Sequence, residues 1–315
     1  MSQLLKKTMK SAIDLMDEPL VSIIIPSYRM GKFVRQALQS IGEQTYGNWE
    51  VILVDDCGPE DGTREAVLNF RDSYPAKRVE YIRNEENKGC GESRNIAMKA
   101  AAGKYYALLD PDDFWGCNYL RKAVSGIGDA DLCFQGARII DENGVDHGVR
   151  MASRMDDLVA RFPESLFSEN FLLPSCTFLH RRVIEQVGGF SRRPELMYAA
   201  DWDFYLRCIR KNQRFVFLGG DECRYRKHSG AATGNYLRMT VECVNVLRMN
   251  WKNSEGLMKK CLRASLHVHL CRLVYLKISL RDWSGLNDAE EAFLLDPWNP
   301  DLAKSLIKAL KNNWS

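Results

Sequence analysis

A chain of 315 residues can hold one large domain or a domain with an appendage. Its composition, 45% hydrophobic and 27% charged, is ordinary for a soluble globular protein. A formal net charge of +3 is too small to argue for nucleic acid, and no apolar run approaches the roughly 18 residues of a membrane span.

Residues 1–19 mix charge throughout and lack the apolar core of a secretory signal. Leu4, Leu5, Met9, Ile13 and Met16 form one stripe of a short amphipathic helix. Leu20–Pro26 is a β-branched run ended by proline, and it reads as a buried strand. Ser27, Tyr28 and Arg29 follow at its C-terminal edge. A helix from about Lys32 buries Phe33, Val34, Ala37, Leu38 and Ile41. Glu50–Asp55 is a second buried strand, and it ends in the pair Asp55–Asp56. Cys57–Thr63 is a turn that starts a helix, whose buried face carries Ala66, Val67 and Phe70. Val79–Arg83 is a third strand. The glycine loop Asn87–Gly91 leads into an alanine-rich helix over Ser93–Ala102.

The fourth strand begins at Tyr105 and runs into Asp110, Pro111, Asp112 and Asp113. Pro111 cannot donate to a ladder, so the strand should stop there. Three carboxylates this close repel one another unless something positive joins them, and a hard divalent cation on a phosphate would do so. The plain alternative is a solvated acidic turn. The βαβαβαβ order predicts an α/β fold with a parallel, doubly wound sheet. Asp55, Asp56, Asp110, Asp112, Asp113, Tyr28 and Arg94 then share one sheet edge, where ligands bind in such folds.

Further on, Asp131–Arg138 and Cys176–His180 read as strands that extend the sheet, with a polar and then amphipathic stretch between them. Asp201 and Asp203 open a helix, where acids stabilise the dipole by about 0.3–1 kcal/mol. His228 follows a strand. His267 and His269 lie two apart on a helix, cannot chelate together, and read as structural. From Tyr236 the chain is helical and more basic. Leu257–Leu280 suits either an anionic membrane surface or, the preferred reading, a helix pair packed on the preceding domain. Ten scattered cysteines without CxxC or zinc spacing read as free thiols of a reducing cytoplasm.

Four segments carry a resemblance: VSIIIPSY (21–28), QTYGNWEVILVDD (44–56), NKGCGESRN (87–95) and LLDPDD (108–113). Together they resemble the nucleotide-sugar-binding half of family 2 glycosyltransferases, which have the GT-A fold. VGGF (187–190), ADWDFYLR (200–207) and YRKHS (225–229) are similar to later segments of that family. The resemblance covers residues 20–230. It implies a Rossmann-like mixed sheet flanked by helices in a GT-A domain (20–235, divided at 115 into nucleotide and acceptor halves), then a helical appendage (236–315).

The resemblance also implies roles. Pro26, Tyr28, Asp55, Arg94, Asp110 and Asp112 would bind the nucleotide sugar, with Asp55 on the base. Asp112, Asp113 and His228 would hold Mn²⁺ or Mg²⁺. Asp201 would be the catalytic base of an inverting transfer to a glycan or lipid-linked glycan. UDP is the favoured nucleotide, and surface polysaccharide synthesis at the cytoplasmic face of a membrane the favoured setting. Two departures stand out: Ala200 replaces the acid that usually precedes the base, and the common DDGSTDGT is DDCGPEDGT here (55–63). The rival readings are a sugar nucleotidyltransferase and a non-catalytic scaffold. The first would carry a glycine-rich, basic phosphate loop after strand one, which SYRMGK (27–32) matches poorly. Ala289–Leu310 resembles part of a tetratricopeptide hairpin with DPWNP as its turn. It should dock on its neighbour or on a second chain, since one hairpin cannot bury its own face.

Overall fold

The computed structural model describes residues 18–150, 152–231 and 234–314. The amphipathic stripe Leu4–Met16 lies outside them. The first half is β1 (Val21–Ser27), α1 (Gly31–Gly42), β2 (Trp49–Asp55), α2 (Thr63–Ser73), β3 (Val79–Arg83), α3 (Gly89–Ala100) and β4 (Tyr105–Leu108). These strands lie in the order β3-β2-β1-β4, all parallel. The chain winds outward from β1 to β3 and then returns to β4 on the other side. A crevice therefore opens at the C-terminal ends of β1 and β4. Every residue of β1 and β2 is buried, as continuous apolar runs covered on both faces require.

Two element ends differ from expectation for identifiable reasons. β1 runs one residue past Pro26. Ile24 O accepts from Leu109 N (3.0 Å), so even-numbered residues of β1 face β4, and that ladder ends at Ile24–Leu108. The missing N–H of Pro26 thus falls where no partner strand remains. α3 begins at Gly89 rather than Ser93. Its first N–H groups are received by a carboxylate from another loop, Asp56, which local sequence does not reveal.

The second half is β5 (Phe114–Trp115), α4 (Tyr119–Gly126), β6 (Leu132–Phe134), β7 (Ala137–Ile140), β8 (Asp146–Arg150), α5 (Ala152–Ala160), α6 (Glu164–Ser168), β9 (Thr177–His180), α7 (Arg181–Val187), α8 (Ala200–Arg210), β10 (Phe215–Phe217) and β11 (Cys223–Arg226). The seven-stranded sheet runs β10-β6-β9-β4-β1-β2-β3, with β9 antiparallel to both neighbours. A second sheet, β5-β11-β7-β8, stands beside it. The single strand expected over Asp131–Arg138 is in fact two strands in two sheets. The break falls at Gly136, where the chain passes Gly220 so closely that a Cβ would lie 2.0 Å from Gly220 O.

Four helices complete the chain: α9 (Tyr236–Lys252), α10 (Gly256–Ser279), α11 (Gly285–Leu295) and α12 (Asp301–Trp314). Alternation along the strands divides the core. Val21, Ile23, Ile25, Val51 and Leu53 pack under α1, α2 and α4. Ile24, Ile52, Val54 and Leu108 belong to a cluster that continues through α8 into Leu266, Leu270, Leu302 and Ala309. The C-terminal helices therefore share the core of the sheet. The buried apolar residues of α10 pack on α6, α9, α11 and α12, which is the packing alternative. The α11–α12 hairpin docks on α10: His267 Nδ1 meets Ala292 O (2.9 Å), and Arg263 Nε donates to Leu295 O (3.1 Å). Its outer face leaves Leu286, Phe293, Leu294 and Trp298 exposed. Among the described residues no helix is long and apolar enough to cross a membrane.

Candidate active site

The ends of β1 and β2 form one shoulder of the crevice. Asp55 Oδ1 accepts from Gly58 N (2.9 Å), and its Oδ2 accepts from Tyr81 OH (2.6 Å) and pairs with Arg83 (2.8 Å). A Cβ on Gly58 would lie 3.3 Å from Asp55 Oδ1 and 3.9 Å from the Tyr28 ring, so Tyr28, Asp55 and Gly58 adjoin. Tyr28 is exposed, with the Arg29 guanidinium 5.1 Å from its ring centroid. Pro26 lies in β1, in register with Val54.

Asp56 is buried and organises the glycine loop. It accepts from Asn84 Nδ2 (2.7 Å), Lys88 N (2.8 Å) and Gly89 N (2.7 Å). Gly89 has φ +83°, a conformation that few side chains tolerate. Asp56→Ala should strand these donors and destabilise the fold by about 3 kcal/mol, read as a lower urea midpoint. An unchanged midpoint would refute the capping role.

The three carboxylates after β4 have three different surroundings. Asp110 pairs with the buried Arg94 (2.5 Å). Burial raises its pKa and the guanidinium opposes that rise. Burial works against the charge of Arg94 too, but Asp110, Cys90 and Asp201 more than offset it. Asp113 has a protein partner on each oxygen: Ser175 Oγ donates to one (2.6 Å) and Arg226 N to the other (2.8 Å). Asp112 is partly exposed, and its Oδ2 lies 3.0 Å from His228 Nε2. Arg226 holds this turn in place: Nε donates to Asp112 O (2.7 Å), and the guanidinium also reaches Glu142 O (2.9 Å) and Gln36 Oε1 (2.6 Å). β11 thereby delivers both Arg226 and His228 to the acidic turn.

Asp112 and His228 form a donor pair suited to a divalent cation. Among the described residues no three His, Cys, Asp or Glu side chains converge as a cage. A cation such as Mg²⁺ normally takes one or two protein ligands and fills its remaining positions from phosphates and water. The pair therefore fits, while the two oxygens of Asp113 already have protein partners.

Asp201 opens α8. Trp202 N donates to its Oδ1 (2.8 Å) and Asn170 Nδ2 to its Oδ2 (3.0 Å). Burial lifts its pKa to about 6 against the pull of Arg94. The helix start is fixed from the C-terminal region: Glu242 of α9 accepts from Ala199 N (3.2 Å), and Asn250 donates to Asp203 (2.9 Å). Asp203 also pairs with Arg207 (2.8 Å), a structural engagement. Ala200 is buried against the glycine loop, and a Cβ on Gly91 would lie 3.2 Å from its own.

Arg94, Asp110, Asp112, Asp113 and Asp201 all line one cleft of about 370 Å³, open to solvent. His228 joins through Asp112. Pro26, Tyr28 and Asp55 lie on the shoulder and not in the lining. Sequence reasoning missed Asn170, Ser175, Arg226, Glu242 and Arg272. Of these only Arg226 had a signal, the arginine within YRKHS. His267 and His269 bond backbone carbonyls, Ala292 O and Ser265 O (2.9 Å each), although His269 also borders the cleft.

The family described as "Glycosyl transferase family 2" matches residues 22–188, more than half of the chain. The putative teichuronic acid biosynthesis glycosyltransferase TuaG of Bacillus subtilis is 29% identical over 251 residues, covering 74% of this chain and 93% of its own. The UDP-Glc:alpha-D-GlcNAc-diphosphoundecaprenol beta-1,3-glucosyltransferase WfgD of Escherichia coli is 39% identical over 132 residues, 41% of this chain and 50% of its own. Among solved structures, the mannosyltransferase PcManGT of Pyrobaculum calidifontis, in complex with GDP-Man and Mn²⁺, superposes with a TM-score of 0.65 at 18% identity. The match covers 98% of this chain and 94% of that one. At that identity the likeness establishes the fold, a mixed sheet flanked by helices, as in GT-A enzymes.

Proposed function

The chain belongs to glycosyl transferase family 2, and from that premise we propose a metal-dependent, inverting transfer of a sugar from a nucleotide diphosphate to an acceptor hydroxyl. The observation that carries it is the shared cleft. Asp112, beside His228, and Asp201 line the same space, and the buried Arg94 interacts with Asp110 and Asp201 at once.

In this reading the base of the nucleotide rests on the Tyr28–Asp55 shoulder, and Pro26 shapes the strand end beneath it. Arg94 and Asp110 set the cleft floor under the diphosphate. Asp112 and His228 would hold Mn²⁺ or Mg²⁺, which when bound neutralises charge on the leaving diphosphate. Asp201 accepts the acceptor's hydroxyl proton as the new C–O bond forms at the anomeric carbon. The bond to phosphate breaks with its electron pair on the diphosphate. Attack from the face opposite the leaving group inverts the centre, and no covalent intermediate is required. UDP is the favoured nucleotide. A glycan or glycolipid acceptor in surface polysaccharide synthesis at the cytoplasmic face of a membrane is the favoured setting, supported by the likeness to TuaG and WfgD.

The test is thermal stabilisation by a panel of nucleoside diphosphates, with and without Mn²⁺. A ligand that binds only the folded chain raises Tm, by about 2.7 kcal/mol of added stability at a hundredfold excess over Kd. One diphosphate should stabilise strongly, and only with metal. If none does, a non-catalytic scaffold takes first place.

A further inference from the structure

The wall of the cleft beyond Asp201 comes from α9 and α10, through Met239, Cys243, His269 and Arg272. The His269 ring lies 5.6 Å from that of Trp202, the neighbour of Asp201. Arg272 follows His269 by three residues on α10 and lines the same cleft, so it sits at the Asp201 end.

Arg272 is exposed, and among the described residues it makes no hydrogen bond or ion pair. The other arginine of the cleft, Arg94, is matched by Asp110. Glu169, an acid on the same side, has its own partner. The helix that carries Arg272 holds Lys259, Lys260, Arg263, Arg272 and Lys277 and not one acid. Of these, Lys277 is neutralised by Asp288 (2.8 Å). A guanidinium carried by a packed helix at the rim of a substrate cleft, without a counter-ion, suits an anionic oxygen group. Under the donor assignment above, the diphosphate lies at the other end, with Asp112 and His228. The remaining substrate is the acceptor.

We propose that Arg272 binds an anionic group of the acceptor, a phosphate or a carboxylate near the hydroxyl that receives the sugar, and so selects charged acceptors over neutral ones. This rests on the glycosyltransferase reading. The surface of α10 extends the site. Lys260, Ala264, Val268 and Arg272 are all exposed and follow one another at four-residue spacing. They form one ridge about 18 Å long that winds from near the helix start to Arg272 at the cleft. A small apolar strip with a cation at each end suits an acceptor that continues beyond its reacting sugar.

The experiment uses the full chain with Mn²⁺ and a saturating concentration of the nucleoside diphosphate that stabilises it. Decyl phosphate, octyl glucuronide and octyl glucoside are titrated into that complex by calorimetry, each below its micellar concentration. At least one anionic probe should bind about tenfold or more tighter than the neutral glucoside, and Arg272→Ala should erase the difference. Arg272→Lys should keep part of it. Preference for decyl phosphate identifies a phosphate-bearing acceptor, and preference for the glucuronide a uronate. The proposal is overturned if neutral and anionic probes bind alike, if Arg272→Ala leaves the anion's affinity unchanged, or if the anion displaces the diphosphate. Failure of the donor reading has another signature: no nucleoside diphosphate binds either chain, and this proposal falls with it.

Discussion

The Asp201→Asn variant should bind nucleoside diphosphate and metal as the parent chain does, and transfer sugar roughly 10²–10⁴-fold more slowly, the usual contribution of a general base. The substitution keeps the shape of the side chain and its place at the start of α8. One amide oxygen can still accept from Trp202 N or from Asn170 Nδ2, whose bonds to the aspartate are 2.8 and 3.0 Å. What disappears is the capacity to take a proton. The same residue sets the pH profile. Burial places its pKa at about 6, and the base works only when ionised. The rate in the parent chain should therefore be full above pH 6 and fall about tenfold per pH unit below it. Single-turnover kinetics from pH 5 to 8, with calorimetric nucleotide binding alongside, separates the two effects. A variant that transfers normally, or that loses nucleotide binding as well, would remove Asp201 from the base role.

The fold was largely legible because its signals are local. β1 and β2 are unbroken apolar runs, and α1 buries the five residues that its 3.6-residue period predicts. Pro111 and the acidic turn mark the end of β4. What escaped the sequence are contacts between distant segments. Asp56 looks like the twin of Asp55, yet it caps a helix some thirty residues later. Asp113 reads as a third ligand, but its bonds to Ser175 and Arg226, a separate service to the fold, do not show in the sequence. The split of the Asp131–Arg138 strand depends on Gly220, far along the chain. Asn170 lies in a segment with no local pattern; the helix that carries Arg272 was legible, but only its packing on α6 and α9 brings Arg272 to the cleft.

The C-terminal region illustrates the same limit. Its helices and the hairpin turn were readable from period and proline. Their role was not, because it lies in Glu242 fixing the start of α8 and Asn250 holding Asp203. A region that reads as an appendage helps to hold the residue proposed as the base.

The second large effect is expected at Asp112, and its three-way contrast with Asp110 and Asp113 makes it diagnostic. Asp112→Ala should leave folding nearly intact. The side chain is partly exposed, and the turn is held through the backbone of Asp112 by Arg226. The variant should lose the metal-dependent part of nucleotide binding, by about a hundredfold or 2.7 kcal/mol, since His228 alone is a poor anchor for a hard cation. Asp110→Ala should instead destabilise the chain by about 3–5 kcal/mol, because it leaves the buried Arg94 charge unpaired. Asp113→Ala should destabilise it as well, by leaving Ser175 Oγ and Arg226 N without an acceptor. Stability is read by urea unfolding without ligand, and binding by the Tm shift with diphosphate in the presence and absence of Mn²⁺. If Asp112→Ala keeps its metal-dependent shift while Asp113→Ala folds and loses it, the ligand pair has been placed on the wrong acid. If only Asp112→Ala separates binding from stability, the acidic turn divides its labour as the geometry indicates: Asp110 for the arginine, Asp113 for the fold, Asp112 for the cation.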